Sequence, residues 1–347
     1  MAIALAPTKR FTVLELANAA ENSRDAVLQR VRQDPRALLD LDPVFRDDRD
    51  FITAATKTDQ FMLEYASPRL KADEDLVLSV CKSMGGALHY ASPALQANRG
   101  LVLEAVKQAG WALEAASSEL RADREVVLAA LKQDGAALNY VSAALKNDKE
   151  VVLRAVSQYG PALGYVSSDL QADRDIVMAA CAQDGEALEH AAEELKGDRE
   201  IAMVACLQNG WALEFVSDEL QNDRDIVMAA VSNEGAALAF VSEALCADRD
   251  VVLRAVTAPH EVRKIFPCLE CTLRSCPAHV CQDPWRDATA LYYASDALKN
   301  DKELVFAAVK NCGLQIESAF PRLQLDPDIC DAVKQDGSCF RRASFII

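Results

Sequence analysis

An aspartate or asparagine recurs every 25 residues along most of this 347-residue chain. The same period carries a leucine three residues before each of these positions and a glycine twelve residues after most of them. Three positions that keep the same spacing over so many copies indicate one repeated unit rather than unrelated domains. The aspartate or asparagine stands at Asp73, Asn98, Asp123, Asp148, Asp173, Asp198, Asp223 and Asp248.

Each unit has the pattern of a helical hairpin. Asp148 can accept hydrogen bonds from free N–H groups of a first helical turn, and Glu150 adds negative charge at the positive end of the helix dipole. Apolar residues recur at helical spacing between residues 151 and 156, and we expect Gly160 to end this first helix in the left-handed conformation. A second, shorter helix and a single turn lead to the next aspartate.

Helices this short are marginal in water on their own, so each hairpin must stack on its neighbours. The sequence therefore predicts an all-α fold, an α-solenoid of about twelve 25-residue helical-hairpin repeats. We expect an N-terminal capping segment over residues 1–22 and regular repeats over 23–256. A degenerate Cys-rich repeat or insert over 257–287 and C-terminal repeats with a cap over 288–347 complete one continuous solenoid.

The repeat consensus, Asp-Arg-Glu-Val-Val-Leu-x-Ala-Val-x-x-x-Gly-x-Ala-Leu-x-Tyr-Val-Ser-x-x-Leu, closely resembles the repeat known as domain of unknown function 4116 (DUF4116). The resemblance covers roughly Ser23 to Ala258 and Ala288 to Gly313. It implies a helical repeat fold, and it brings no known reaction and no catalytic or cofactor-binding residues. The stretch around Cys268 departs from the repeat pattern.

That departing stretch holds a local cluster of potential metal ligands. Four soft thiol ligands could hold a structural zinc ion in tetrahedral geometry, and His260 and His279 lie nearby. The later four-residue gaps differ from the usual zinc-ribbon and zinc-finger spacings, so a redox disulfide and a loosely helical insert with no special role stay open. The four candidate ligands are Cys268, Cys271, Cys276 and Cys281.

Large aromatic residues follow the glycine position at three places, Phe61, Trp111 and Trp211. If these side chains are exposed, they are candidate anchors for a protein partner, because large aromatic residues dominate interface energetics. The alternative is that each packs on the preceding helix. A further aromatic series keeps the phase of the apolar stripe and is expected to lie in the core, with His190 in the same series. It comprises Tyr65, Tyr90, Tyr140, Tyr165, Phe215, Phe240 and Tyr293.

An arginine follows the capping residue in many repeats and is bracketed by acidic residues. Stacking should set these arginines in a solvated ladder of ion pairs with neighbouring carboxylates, with a clamp for a peptide carboxylate or a phosphate as the other possibility. The arginines are Arg99, Arg124, Arg174, Arg199, Arg224 and Arg249.

The formal net charge of −16 favours basic proteins or peptides as partners and disfavours nucleic acid. No run of 18 apolar residues is present, so we expect no membrane insertion. The N-terminal residues lack the order of charges found in a secretory signal, and Cys81, Cys181 and Cys206 replace valines of the apolar stripe. We therefore expect an intracellular, cytoplasmic protein whose cysteines are reduced.

No phosphate-binding glycine loop, nucleophile elbow or His-Glu-x-x-His helix occurs. The sequence favours a non-enzymatic scaffold or adaptor that binds other proteins and has no cofactor. Two alternatives stay open. One is a protein with a structural metal or a redox response centred on the four cysteines, and the other is an enzyme whose site is assembled across repeats.

Overall fold

A computed structural model describes residues 22–40, 43–258 and 289–335 of the chain. Every regular element in these ranges is a helix, and no strand occurs in them. The chain divides into two compact units, Met1–Val166 and Ser167–Ile347, and in each unit six first helices pack in chain order. The all-α repeat fold predicted from the sequence is confirmed. No helix among the described residues combines the length and apolarity needed to cross a bilayer.

Each full repeat consists of a first helix, a second helix and a connecting turn. The first helices are Asn22–Gln33, Arg49–Thr56, Glu74–Cys81, Arg99–Gln108, Arg124–Gln133 and Lys149–Val156 in the first unit, and Arg174–Gln183, Arg199–Gln208, Arg224–Asn233, Arg249–Thr257, Lys302–Asn311 and Pro327–Gln335 in the second. The connecting turns are Pro43–Asp47, Pro68–Lys71, Pro93–Gln96, Leu120–Ala122, Ala143–Lys146, Ser168–Gln171, Glu193–Lys196, Leu220–Asn222, Glu243–Cys246, Asp296–Lys299 and Pro321–Gln324.

The second helices are mostly six-residue 3-10 helices, a longer run than this geometry usually sustains. They are Gln60–Tyr65, Gly85–Tyr90, Gly110–Ala115, Gly135–Tyr140, Gly160–Tyr165, Gly185–His190, Gly210–Phe215, Gly235–Phe240 and Gly313–Ser318. Ala37–Asp40 and Ala290–Tyr293 take the same place in their repeats as short α-helices.

The capping residues act as the sequence predicts. One carboxylate oxygen of Asp123 accepts hydrogen bonds from the backbone N–H groups of Glu125 at 2.9 Å and Val126 at 3.2 Å. These bonds satisfy two of the N–H groups that the first turn of a helix leaves without a partner. The same two bonds begin the first helices that follow Asp148, Asp198, Asp223 and Asp248. Asn98 and Asp301 each accept one bond, from the N–H group three residues later.

The core of each unit lies between a layer of first helices and a layer of second helices. The helix Arg124–Gln133 contacts the first helices on both sides, its own second helix and the second helix before it. Val126, Val127 and Leu131 on its inner side have no exposed surface. Each side chain of this size contributes about 1.5–3 kcal/mol on burial, which explains why helices this short persist only in a stack. Cys81, Cys181 and Cys206 are buried in the same layer.

The prediction that Gly160 ends its first helix is wrong, because that helix ends at Val156 and Gly160 begins the second helix. The first helix Arg124–Gln133 ends at an extended Asp134, with φ −150°, and Gly135 begins the second helix. None of Gly85, Gly110, Gly135, Gly185, Gly210 and Gly235 has a positive φ in the left-handed range. A Cβ at Gly135 would lie 2.5 Å from the carbonyl oxygen of Ala155 in the next repeat. The glycine is needed because two backbones approach closely there.

The predicted arginine ladder is present within each unit. Arg199 Nε donates to Asp223 at 2.9 Å, and its Nη2 donates to Asp225 at 2.8 Å. Each such arginine thus bonds to the capping aspartate of the next repeat and to the acidic residue two positions later. The guanidiniums of Arg99 and Arg199 hold the pKa values of Asp123 and Asp223 below the ordinary range. These groups are already paired on an exposed surface, where each pair stabilises by no more than about 1 kcal/mol.

The arginine ladder also shows which first helices are neighbours on either side of the region between residues 258 and 289. Arg224 bonds to Asp248, 24 residues later, but Arg249 bonds to Asp301, 52 residues later, at 3.0 Å. The helices Arg249–Thr257 and Lys302–Asn311 are therefore adjacent layers, and 28 extra residues enter within one repeat. The amide of Asn311 donates to the carbonyl oxygens of Val256 and Ala258, both at 2.8 Å.

Gln315 joins the two chain segments that flank these extra residues. Its amide nitrogen donates to the carbonyl oxygen of Val256 at 3.3 Å, and its amide oxygen accepts from the backbone N–H of Leu291 at 3.3 Å. The side chain has no exposed surface. Regular repeats carry an alanine at this position, as at Ala137 and Ala212. The glutamine therefore supplies buried hydrogen bonds at the place where the regular backbone is interrupted.

Candidate functional site: the face of the second helices

The three predicted partner anchors are each the second residue of a second helix, but the exposed fractions of their side chains differ. Phe61 exposes 49% of its surface and Trp111 exposes 41%. Trp211 exposes only 8% and is buried, which is the packing alternative considered for this position. Phe61 and Trp111 belong to the first unit, and Trp211 belongs to the second. Two of the three residues are therefore placed where a partner could contact them.

The 3-10 geometry of the second helix decides which residues share its outer face. With three residues per turn, side chains three positions apart lie above one another. The residue after the glycine and the residue three positions later therefore lie together, and the alanine and leucine between them are buried, as at Ala112 and Leu113. A glutamate stands three positions after each predicted anchor, at Glu64, Glu114 and Glu214.

The aromatic series that was expected in the core lies at the edge of this face instead. Tyr65, Tyr90, Tyr140, Phe215, Phe240 and Tyr293 are half-buried, and Tyr165 is exposed. His190, the residue of the same series in its repeat, is half-buried as well. The prediction assumed α-helical periodicity, whereas a 3-10 helix places this position beside the exposed column rather than over the leucine. The second-helix layer therefore presents aromatic rings to solvent.

At two of the three anchors, the post-glycine residue of one repeat lies beside the aromatic residue of the next repeat. The rings of Phe61 and Tyr90 have centroids 6.4 Å apart and meet edge to face at 79°. Trp211 and Phe240, at the same two positions in the second unit, are 6.1 Å apart at 75°. We call the sets with their glutamates cluster 1 (Phe61, Glu64, Tyr90), cluster 2 (Trp111, Glu114, Tyr140) and cluster 3 (Trp211, Glu214, Phe240).

In clusters 1 and 2 the glutamate acts electrostatically on the tyrosine of the next repeat. Partial burial raises the pKa of Tyr140, and the negative charge of Glu114 and a hydrogen bond to its carboxylate raise it further. Partial burial also raises the pKa of Tyr90, with further contributions from Glu64, Tyr65 and Asp59. Each cluster therefore places a negative charge beside an aromatic ring.

Trp111 also leans over the repeat before it. Gly86 occupies the post-glycine position of that repeat, and a Cβ added there would overlap the Trp111 indole ring. Gly86 itself is buried, so the indole covers it while keeping part of its own surface exposed. Cluster 2 consequently extends the aromatic surface toward cluster 1 on the outer side of the second-helix layer.

Glutamates supply the formal charge on the layer of second helices. The second helices from Gln60 onward contain no lysine or arginine, and they contain Glu64, Glu114, Glu186, Glu189, Glu214 and Glu317. The nearest lysines belong to the connecting turns. Lys146 Nζ donates to the carbonyl oxygen of Asn139 at 2.8 Å, and Lys299 Nζ lies 5.6 Å from the Tyr292 ring centroid. The second contact is a cation–π interaction made on this face within the second unit.

The predicted metal ligands Cys268, Cys271, Cys276 and Cys281 lie outside the described residues. In the part of the chain that is described, no group of three or more His, Cys, Asp or Glu side chains is arranged to hold a metal ion. Cys81, Cys181 and Cys206 are free, buried thiols. Burial raises the pKa of Cys81, Cys181 and Cys206 to about 12, so these thiols are protonated and unreactive at neutral pH.

The sequence predicts Phe61 and Trp111 as anchors but not the residues beside them. It gives Glu64 and Glu114 no role, and it predicts Tyr90 and Tyr140 in the core. A signal for the glutamates was available, because each anchor is followed three residues later by a glutamate. The contact from one repeat to the next could not be read from spacing alone, since it depends on how adjacent second helices pack.

The family model for the domain of unknown function DUF4116 matches the chain six times, over residues 23–71, 73–121, 123–171, 173–221, 223–258 and 280–324. Most matches span two of the 25-residue repeats, and the last begins at residue 280, within the interval between residues 258 and 289. No curated protein and no solved structure shows significant similarity to the chain. Because the matches cover more than half of its length, the chain belongs to the DUF4116 family.

Proposed function

We propose that this protein is a non-enzymatic scaffold or adaptor that binds another protein on the face of its second helices. The observation that carries the proposal is the exposure of Phe61 and Trp111 at equivalent positions of the first unit. Exposed large aromatic residues in a repeated array are typical of interaction surfaces. The repeated acidic residues act as helix caps and ladder partners, and these roles account for them without catalysis.

The remaining features support the same function. A formal net charge of −16 favours a basic partner and disfavours nucleic acid. Cys81, Cys181 and Cys206 are free thiols, as is usual in a reducing compartment, and we propose a cytoplasmic location. A solenoid-type surface suits an extended partner, because equivalent positions of successive repeats face the same way at a regular spacing.

Site-specific photo-crosslinking tests this function. A photoreactive phenylalanine analogue replaces Phe61 or Trp111 in separate full-length chains, and Lys132, an exposed residue of the first-helix layer, is replaced as the matched control. We expect the same cellular protein to be crosslinked from positions 61 and 111 but not from position 132. Crosslinking to no protein, or equally from all three positions, contradicts a scaffold that uses this face.

A further inference from the structure

We infer that clusters 1 and 2 each bind one lysine or arginine side chain of a single extended, basic segment of the partner protein. This inference rests on the proposed function and specifies its ligand chemistry. Cluster 1 is Phe61, Glu64 and Tyr90, and cluster 2 is Trp111, Glu114 and Tyr140. Both clusters lie in the first unit.

The chemistry of each cluster suits a cation. An ammonium or guanidinium group is attracted to the face of an aromatic ring and donates charge-assisted hydrogen bonds to a carboxylate. In cluster 1 the Phe61 and Tyr90 rings meet edge to face. In cluster 2 Trp111 and Glu114 are both exposed and lie one 3-10 turn apart on the same face. Glu114 lies close enough to Tyr140 for its negative charge to raise the pKa of the Tyr140 hydroxyl, so the carboxylate is near the ring. Arginine and lysine are the protein side chains that meet both requirements.

The cation that binds each cluster must come from another molecule, because no side chain of the same second helices supplies one. No lysine or arginine occurs in the second helices that carry clusters 1 and 2. Lys146, on the following connecting turn, donates to the carbonyl oxygen of Asn139 instead. Arg121 and Lys71 stand at neighbouring turns, but in the part of the chain that the structure describes no ion pair joins them to Glu114 or Glu64. The Lys299–Tyr292 contact shows the same pairing of chemistry inside the second unit.

The spacing of the clusters predicts the spacing of the basic residues. Clusters 1 and 2 are two repeats apart, and adjacent packed helices lie about 8–10 Å apart, so the clusters are separated by roughly 16–20 Å. An extended chain advances about 3.3 Å per residue, so five or six residues span this distance. Side chains six positions apart face the same way in a strand and in a polyproline II helix, whereas those five apart do not. The expected spacing is therefore six.

Synthetic peptides test this inference directly. One peptide carries two arginines six residues apart, with uncharged residues elsewhere and blocked, uncharged ends. A second peptide has the same composition but carries the two arginines next to each other. Fluorescence anisotropy with the full-length protein measures both Kd values. We expect the six-spaced peptide to bind about tenfold more tightly, because only it reaches both clusters. Equal affinity for the two peptides, or binding of neither, overturns the inference.

Variants in which each glutamate loses its negative charge identify the site. Glu64→Gln and Glu114→Gln keep the shape of the side chain, and each should weaken the six-spaced peptide by about three- to tenfold. The matched controls are Glu125→Gln and Glu150→Gln, which make the same charge change at the exposed starts of first helices. We expect these controls to change the Kd less than about twofold. Equal losses in both pairs indicate general electrostatic attraction and overturn the assignment to the clusters.

The two proposals fail in different ways. If the crosslinks from positions 61 and 111 persist while the peptides do not discriminate by spacing, the scaffold stands and the basic-segment inference is wrong. If the six-spaced peptide binds as expected but no protein is crosslinked in extract, the site binds cations and the scaffold function is wrong. Circular dichroism of each variant confirms that it is folded before its affinity is measured.

Discussion

Gly135 shows how a single hydrogen atom in place of a methyl group permits the stacking of repeats. The Cβ of any other residue would lie 2.5 Å from the carbonyl oxygen of Ala155 and 2.9 Å from the Cβ of Tyr159. Both atoms belong to the next repeat of the same unit. Gly110 is placed in the same way against Ala130 and Asp134. The recurrent glycine therefore belongs to the interface between repeats and not to the end of a helix.

Replacing this glycine should destabilise the first unit. We expect Gly135→Ala to lower the free energy of unfolding by about 1–3 kcal/mol, because backbone cannot move aside as a flexible side chain can. The matched control is Gly100→Ala, within the helix Arg99–Gln108, where the nearest atom lies 3.5 Å from the added Cβ. This control should stabilise by about 0.5–1 kcal/mol through helix propensity. Urea unfolding measures both, and equal effects would contradict the steric account.

At the scale of the helices, the sequence predicts the first helix and its cap well and the second helix only in outline. Asp123 and the buried Val126 and Leu131 follow from capping and from α-helical periodicity. The second helix was expected to be short, but its 3-10 geometry could not be read from six residues, where periods of 3.0 and 3.6 differ little. Because of that difference, the sequence predicts the tyrosines in the core although they are partly exposed, and only the aromatic anchors of the candidate site were found.

The extra residues between residues 258 and 289 illustrate another limit of sequence reasoning. Sequence counting could not separate a degenerate repeat from an insert, because both lengthen the chain between Asp248 and Asp301. The contact of Arg249 with Asp301 separates them, since it joins the two flanking first helices directly. The buried amide of Gln315 is a residue that only this arrangement explains, because it bonds to backbone groups on both sides of the interruption.

Restoring a regular repeat should leave the second unit folded. Residues 258–288 are replaced by Gln-Asp-Gly, the sequence at Gln133–Gly135, which returns the repeat to 25 residues. We expect the thermal midpoint to be at least as high as that of the parent chain, because the flanking helices are already in contact. A large loss of cooperative unfolding would show instead that the removed residues, including the four cysteines, stabilise the stack.

Gln315→Ala completes this experiment as a double-mutant cycle. In the parent chain it leaves the buried groups of Val256 and Leu291 with fewer partners and should cost about 1–3 kcal/mol. In the shortened chain the cost should be much smaller, because regular repeats have alanine at this position. The same cost in both backgrounds would contradict a role for Gln315 at the interruption.

At the scale of the whole molecule, two kinds of charge interaction oppose each other. The ladder places opposite charges in contact, as between Arg224 and Asp248 at 3.1 Å, but these arginines are about half exposed. Exposed pairs of this kind contribute only about 0–1 kcal/mol each. The formal net charge of −16 produces repulsion over the whole chain, which acts at longer range and favours expansion. The balance decides how salt affects stability.

We expect the repulsion to dominate, so that raising NaCl from about 20 mM to about 300 mM raises the thermal midpoint as the Debye length shortens below about 10 Å. The Glu64→Gln, Glu114→Gln double variant, which carries two fewer negative charges, should melt higher at low salt and respond less. Binding of the six-spaced basic peptide should weaken over the same range, because screening acts on attraction as well. A midpoint that falls with salt would show that the ion-pair ladder, and not the net charge, controls the stability of this acidic protein.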